Sequence, residues 1–235
     1  MDGDITPLDS LLELRDRYAN TILMVDEAHS LGVLGARGRG IEEYFDCQGQ
    51  VDVLMGTLSK TIPCQGGYVT GSKDLVTFLR YNARAFVFSA ALSPVSAAAA
   101  HAALEVLELE GEERSCRLRR NASYFPRRLV EAGFDIGKTR TAIVPILLGS
   151  ESLAFEMARL ANDDGLYVLP VTYPAVPRGS ARLRMSVNSG HSEDELERAV
   201  RTLERAATVI RESASRGLGG SSVVVGRRDL LRKAY

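Results

Sequence analysis

Residues 51–61, VDVLMGTLSKT, decide how this chain is organised, because an apolar run breaks into small polar residues and ends in Lys60. A second run, ILMVDEAH at residues 22–29, ends in the same way, with Asp26 and His29. Apolar runs without alternation are typical of strands that are buried on both faces of a parallel sheet. Ligands of open α/β sheets bind outside the carboxyl ends of such strands. The sequence therefore predicts that Asp26, His29 and Lys60 meet at one end of a sheet.

The rest of the chain alternates helical and strand patterns around these two runs. The predicted helices are 8–18, 72–82, 95–110, 112–132, 152–162 and 192–212, and the predicted strands are 22–25, 51–55, 66–71, 142–148, 166–169 and 181–187. Gly111 should end the third helix, and Pro126 should kink or divide the fourth. This order of elements predicts an α/β domain followed by a smaller α+β domain. The expected domains are 1–125 and 126–212, with a flexible tail at 213–235.

The composition excludes several classes of function. Of the 235 residues, 45% are hydrophobic and 25% are charged, and the net charge is −1, so no basic surplus points to nucleic acid or to an anionic membrane. No apolar run approaches the roughly 20 residues of a membrane span, and the acidic N-terminus does not resemble a signal peptide. Cys47, Cys64 and Cys116 lie far apart without CxxC spacing. They indicate reduced thiols in a cytoplasmic protein, and we expect no metal site.

An acid at the end of an apolar strand fits two chemistries, of which nucleotide hydrolysis is the first. The residues DEAH at 26–29 look like the acidic segment of a nucleotide-hydrolysing helicase. That chemistry needs a phosphate loop, Gly-x-x-x-x-Gly-Lys-Ser/Thr, which normally precedes the acid. The nearest match, Ser59-Lys60-Thr61, lacks both glycines and follows the acid. The sequence therefore argues against a helicase.

Pyridoxal phosphate chemistry accounts better for these residue types. The cofactor's aldehyde needs an amine, which only lysine supplies, and its ring nitrogen needs a carboxylate to stay protonated. A histidine can donate a hydrogen bond to the phenolic oxygen of the ring, and small hydroxyl residues can hold the phosphate. The candidates for these tasks are Asp26, His29, Thr57, Ser59 and Lys60.

Five segments, in order, resemble the α-oxoamine synthase family of fold-type I pyridoxal phosphate enzymes. They are MDGDITPL from residue 1, MVDEAHSLGVLGARGRG from residue 24, GTLSKTIPCQGGYVTGS from residue 56, FVFSAALSP from residue 86 and VPRGSARLRMSVNSGHSEDEL from residue 176. The family includes 8-amino-7-oxononanoate synthase, glycine C-acetyltransferase, 5-aminolevulinate synthase and serine palmitoyltransferase. The resemblance implies an acyltransferase that condenses an α-amino acid with an acyl-CoA or acyl-carrier-protein thioester. The implied fold is a large α/β domain with a mainly parallel sheet, here partial, and a smaller C-terminal α+β domain.

The resemblance also implies roles for residues around the lysine. Asp26 would pair with the pyridinium nitrogen, and His29 would contact the phenolic oxygen. Lys60 would bind the cofactor's aldehyde through its amine and then serve as the proton-transfer base. Thr57 and Ser59 would hold the phosphate.

Two further roles concern the substrate and a second subunit. Arg184 would bind the substrate carboxylate, which suits the bidentate geometry of a guanidinium. The family forms homodimers, in which Ser89 would reach the phosphate of the neighbouring subunit. The next position is often threonine or serine in the family and is Ala90 in this chain, which weakens that expectation.

The family's glycine-rich phosphate loop and the ring that stacks on the cofactor belong to a part that precedes the MDGD segment. Because the sequence contains neither, we expect weak or absent activity from this chain alone. Two alternatives stay open, an aminotransferase of the same fold and a non-catalytic partner of a full-length homologue.

Overall fold

The computed structural model of the chain describes residues 1–215. Its elements are α1 (Leu8–Arg17), β1 (Met24–Asp26), α2 (Ile41–Tyr44), β2 (Val53–Ser59), β3 (Pro63–Gly71), α3 (Lys73–Asn82), α4 (Arg84–Val87), α5 (Pro94–Glu131), β4 (Ile143–Gly149), α6 (Glu151–Asp163), β5 (Leu169–Val171), β6 (Ala181–Ser186) and α7 (Glu193–Ser215). The chain forms two compact units. The N-terminal unit is Thr6–Cys116, and the C-terminal unit combines Met1–Ile5 with the described residues from 117 to 215. The observed division thus falls earlier in the chain than the expected boundary at residue 125.

The N-terminal unit contains a three-stranded sheet in the order β1-β2-β3. Strand β1 runs parallel to β2 with Asp26 opposite Met55, and β2 pairs antiparallel with β3. The hairpin differs from the prediction, because β2 continues to Ser59 and β3 begins at Pro63. Antiparallel pairing of the backbone extends β2 past its apolar part, which periodicity alone cannot show. Lys60 therefore begins the short connection of a β-hairpin.

Helix α1 places its apolar stripe in the core of the N-terminal unit. Leu8 and Leu12 are buried in a cluster with Val25 and Val51. On the same helix, Arg15 donates to the carbonyl oxygen of Gln50 and pairs with Asp52, and Asp52 accepts from the amide of Leu23 at 2.9 Å. These bonds hold the starts of β1 and β2 side by side, so that both strands end at the same edge.

One helix, α5, replaces the two helices that were expected to be separated at Gly111. Glycine at this position serves close packing, because a Cβ there would lie 2.4 Å from the carbonyl oxygen of Arg37. Pro126 lies inside the same helix and does not divide it. The predicted break at Gly111 is therefore wrong, because a glycine in a helix can reflect a neighbouring backbone rather than a helix end.

The C-terminal unit has its own antiparallel sheet, in the order β4-β6-β5. Val144 and Ile146 of β4 and Leu183 of β6 are fully buried in its core. The chain's first residues join this unit, since the buried guanidinium of Arg182 pairs with the carboxylate of Asp2. The sheet and helices agree with the predicted α+β character.

Helix α7 begins with a clear local signal. The Ser192 hydroxyl accepts from the Glu195 amide, and the Glu195 carboxylate accepts from the Ser192 amide, which forms a capping box. The helix continues to Ser215, so the first residues of the predicted tail, 213–215, are helical. The rest of that tail lies outside the described residues. Within residues 1–215, no helix has both the length and the apolar character needed to cross a membrane.

An ion pair between α5 and α7 predicts a pH dependence of stability. Arg128 donates two hydrogen bonds of 2.9 Å to the carboxylate of Glu197, and these bonds lower the pKa of Glu197 below its ordinary value of 4.5. A carboxyl whose pKa is lowered by folding stabilises the folded state above its unfolded pKa and loses that effect as the pH falls through its folded pKa. We therefore expect the melting temperature to fall less steeply below about pH 5 in Glu197→Gln than in the wild type.

Thermal unfolding followed by circular dichroism at several pH values measures this difference. Glu204→Gln is the matched control, because Glu204 lies on the same helix and is exposed. An equal fall of the melting temperature with pH in the wild type and in Glu197→Gln would contradict the expectation.

Candidate active site

The ends of β1 and β2 lie at the same edge of the N-terminal sheet. The strands run parallel, and the amide of Glu27, just past β1, still donates to the carbonyl oxygen of Met55 at 2.7 Å. The side chain of Asp26 is exposed at this edge, and its Oδ1 accepts from the amide of Ala28 at 2.9 Å. The carboxylate of Asp26 is thus held at the carboxyl end of its strand, where such sheets bind ligands.

The loops that follow these strands pack directly against each other. Gly32, three residues after His29, has a positive φ of 76°, and a Cβ built there would lie 2.0 Å from Cγ2 of Thr61. The amide of Gly32 also donates to Gly38 at 2.7 Å, which closes its own loop. The loop that carries the exposed His29 therefore lies against the residue that follows Lys60.

The lysine amine has a hydroxyl beside it. Nζ of Lys60 donates to Oγ1 of Thr57 at 3.3 Å, and the Lys60 side chain is exposed. Ser59 ends β2 opposite Pro63 and is also exposed. The turn thus presents an accessible amine and two nearby hydroxyl residues, of which Thr57 contacts the amine.

A buried carboxylate supports this edge of the sheet. Glu27 is only 4% exposed. Its Oε1 accepts from the hydroxyl of Tyr68 at 2.7 Å, and its Oε2 accepts from the hydroxyl of Ser30 at 3.0 Å. The sequence did not predict the bond between Glu27 and Tyr68, because Tyr68 reaches Glu27 only through the register of two strand pairs, which no sequence spacing signals.

The two remaining candidates lie elsewhere in the chain. Ser89 follows α4, and its hydroxyl donates to the carbonyl oxygen of Ala85. Arg184 lies on β6 in the C-terminal unit, where its Nε donates to the carbonyl oxygen of Met1 at 3.0 Å. Arg184 also lines a groove of about 960 Å³ within that unit, together with Phe125 and residues of α7.

The donor set at the sheet edge fits pyridoxal phosphate. The aldehyde requires a primary amine, which the exposed Lys60 offers. The ring nitrogen requires a carboxylate, which the exposed Asp26 offers, and the phenolic oxygen requires a donor such as His29. The hydroxyl of Thr57 already contacts the amine and is available to a phosphate. These groups come from two loops that pack together through Gly32 and Thr61. The residues present therefore match the needs of this cofactor.

Comparison with known proteins identifies the family of the chain. The family model described as aminotransferase class I and II matches residues 1–203. The 8-amino-7-oxononanoate synthase of Thermosipho melanesiensis is 40% identical over 205 residues, which cover 87% of this chain and 52% of that protein. The enzyme of the same name from Treponema denticola is 41% identical over 205 residues, which cover 87% of this chain and 51% of that protein.

Solved structures show the same likeness. A serine palmitoyltransferase from S. paucimobilis with bound pyridoxal phosphate and myriocin superposes with a TM-score of 0.84 at 31% identity, covering 89% of this chain and 53% of that one. The 8-amino-7-oxononanoate synthase of Francisella tularensis has a TM-score of 0.76 at 27% identity, covering 89% of this chain and 61% of that one. The chain thus spans about half the length of the curated relatives it matches.

Proposed function

Because the chain belongs to the class I and II aminotransferase family, we propose that it carries the reactive lysine of a pyridoxal phosphate-dependent α-oxoamine synthase. The observation that carries this proposal is the packing of Gly32 against Thr61, which brings the loop of His29 against the turn of Lys60. The relatives named 8-amino-7-oxononanoate synthase support this activity over others of the family. The reaction would join an α-amino acid to an acyl group from a thioester of coenzyme A or of an acyl carrier protein.

Each side chain at the sheet edge has a distinct task in this proposal. When bound, pyridoxal phosphate supplies an aldehyde that reacts with amines and a protonated ring that withdraws electrons from the α-carbon of the amino acid. Lys60 would retain the cofactor through its amine and, once released, would carry the proton at the α-carbon. Asp26 would keep the ring nitrogen protonated, because a neighbouring negative charge favours the protonated form. His29 would donate a hydrogen bond to the phenolic oxygen.

The phosphate and the substrate require further donors. Thr57 and Ser59 would bind phosphate oxygens through their hydroxyls, and Thr57 would exchange its present bond with Lys60 for that role. Arg184 would bind the carboxylate of the amino acid with two parallel N–H donors.

We further propose that the protein acts as a cytoplasmic homodimer in which Ser89 contacts the phosphate of the second subunit. Phe86 and Phe88, which precede this serine, are 65% and 82% exposed, and large exposed apolar side chains favour association with another surface. The three cysteines are free thiols, which suits a reducing compartment.

The products distinguish this function from its alternative. The chain is incubated with pyridoxal phosphate, small α-amino acids and acyl-CoA, and carbon dioxide, free thiol and keto acid are measured. Even at the weak turnover expected of this chain alone, carbon dioxide and free thiol should appear in equal amounts, because a decarboxylative condensation releases one of each. Formation of keto acid without free thiol would assign an aminotransferase instead. If the chain did not bind pyridoxal phosphate at all, both the α-oxoamine synthase and the aminotransferase function would be overturned.

A further inference from the structure

The buried carboxylate of Glu27 lies between two proposed site residues in the chain. Asp26 precedes it, and His29 follows two positions later. Its backbone amide is bound to Met55 at 2.7 Å, and its side chain accepts from two hydroxyls, those of Tyr68 and Ser30. A buried carboxylate is costly unless its oxygens accept hydrogen bonds. Both carboxylate oxygens of Glu27 accept a hydrogen bond, and these bonds compensate for its burial at this edge of the sheet.

Tyr68 contacts Glu27 from β3, which is separated from β1 by β2. It lies on β3 opposite Gly56 of β2, and a Cβ at Gly56 would be 2.4 Å from Cζ of the tyrosine ring. The missing side chain at Gly56 is what lets the ring lie across β2 and meet a carboxylate that follows β1. Burial and, next, the bond to Glu27 raise the pKa of Tyr68 above its ordinary value. The hydroxyl therefore stays protonated and remains a donor.

The same carboxylate closes the loop that carries His29. Ser30, next to His29, donates to it, and at the far end of the loop a Cβ at Gly40 would lie 2.2 Å from Oε2 of Glu27. Gly40 has a positive φ of 99° and precedes α2. The carboxylate of Glu27 thus contacts β3 and both ends of the loop.

We propose that Glu27 is a positioning residue, which through Tyr68 and Ser30 sets the placement of Asp26 and His29 at the cofactor site. Its relevance to catalysis rests on the proposed function. Glu27 itself is buried, so it would act through its neighbours rather than by contact with the cofactor. Its role is to prevent rotation of the chain between Asp26 and His29, where the ring nitrogen and the phenolic oxygen require groups in fixed places.

Four variants separate positioning from general stability. Glu27→Ala removes both acceptors, and Tyr68→Phe removes one donor. Glu27→Gln is the conservative variant, since its amide oxygen can accept from Tyr68 while its nitrogen donates to the hydroxyl of Ser30. Tyr81→Phe is the matched control for the loss of a hydroxyl, because Tyr81 is 79% exposed.

Hydrogen–deuterium exchange of the chain without cofactor tests the placement. We expect exchange in residues 24–34 to be roughly tenfold faster in Glu27→Ala and Tyr68→Phe, because bonds to a buried charged group restrain this segment. Exchange in α7 should be unchanged, and Glu27→Gln and Tyr81→Phe should behave as the wild type. Faster exchange throughout the chain, or no change in residues 24–34, would overturn the proposal.

Titration with pyridoxal phosphate, followed by absorbance well below the melting temperature, tests the consequence for the site. We expect affinity to fall roughly tenfold in Glu27→Ala and Tyr68→Phe, with recovery in Glu27→Gln. Lower melting temperatures with unchanged affinity would mean a purely structural role and would overturn the proposal. If the wild type itself binds no cofactor, the proposed function fails, whereas the exchange experiment still decides whether Glu27 positions the Asp26–His29 segment.

Discussion

Replacement of Lys60 by alanine should abolish stable labelling of the chain by pyridoxal phosphate after borohydride reduction. Reduction traps the cofactor on the amine that binds its aldehyde, and the exposed Nζ of Lys60 is the amine at the sheet edge beside Thr57. Mass spectrometry of digested protein would show the label on a peptide containing Lys60 in the wild type. In Lys60→Ala the stoichiometry should fall to background.

Two companion variants define this result. Lys60→Arg retains the positive charge and a donor for Thr57 but has no amine that reacts with an aldehyde, so its label should also vanish. Lys73→Ala is the matched control, because Lys73 is exposed at the start of α3 in the same unit, and its label should equal that of the wild type. Undiminished label in Lys60→Ala would place the reactive amine elsewhere and refute the role of Lys60.

The largest expected change in stability follows from Leu203→Ala in α7. Leu203 is fully buried, and it shares the buried face of the helix with Leu196, Val200 and Ala207. Removal of a buried leucine side chain costs its transfer free energy and leaves a cavity, which together lower the free energy of unfolding by about 2–5 kcal/mol. Urea unfolding followed by circular dichroism measures this loss.

Substitutions on the same helix test the explanation. Val209→Ala removes an apolar side chain that is 46% exposed, and it should change the free energy of unfolding by less than about 0.5 kcal/mol. Leu203→Met conserves volume and should cost less than about 1.5 kcal/mol. Equal losses in Leu203→Ala and Val209→Ala would show that burial of this face does not determine the stability of the C-terminal unit.

Local signals in the sequence predicted much of the fold. Ser72 was expected to cap a helix to residue 82, and in the structure its hydroxyl accepts from Leu75 at the start of α3, which ends at Asn82. The start of α7 at Ser192 is equally local, because both partners of its capping box lie within one turn. Such features depend on neighbours in the sequence, so periodicity and capping residues are sufficient to find them.

Features that depend on tertiary packing or on strand pairing were predicted less well. Gly111 was expected to end a helix, yet its missing side chain accommodates the carbonyl oxygen of Arg37. The β2–β3 hairpin is longer than its apolar pattern, because pairing with β3 extends β2 to Ser59. Arg37 lies far from Gly111 in the sequence, and the pairing of β2 with β3 depends on backbone hydrogen bonds, so the spacing of apolar side chains carries no information about either contact.

The sequence by itself determined the chemistry available to this protein: an amine at Lys60, a carboxylate at Asp26 and an imidazole at His29, each at or just past the end of an apolar run. Only the tertiary structure decided how these groups are held. The parallel pairing of β1 with β2 aligns the strand ends, and the contact of Gly32 with Thr61 joins their loops. Residue type sets which bonds a group can form, whereas strand register sets which group it meets, and register arises from the packing of the whole sheet.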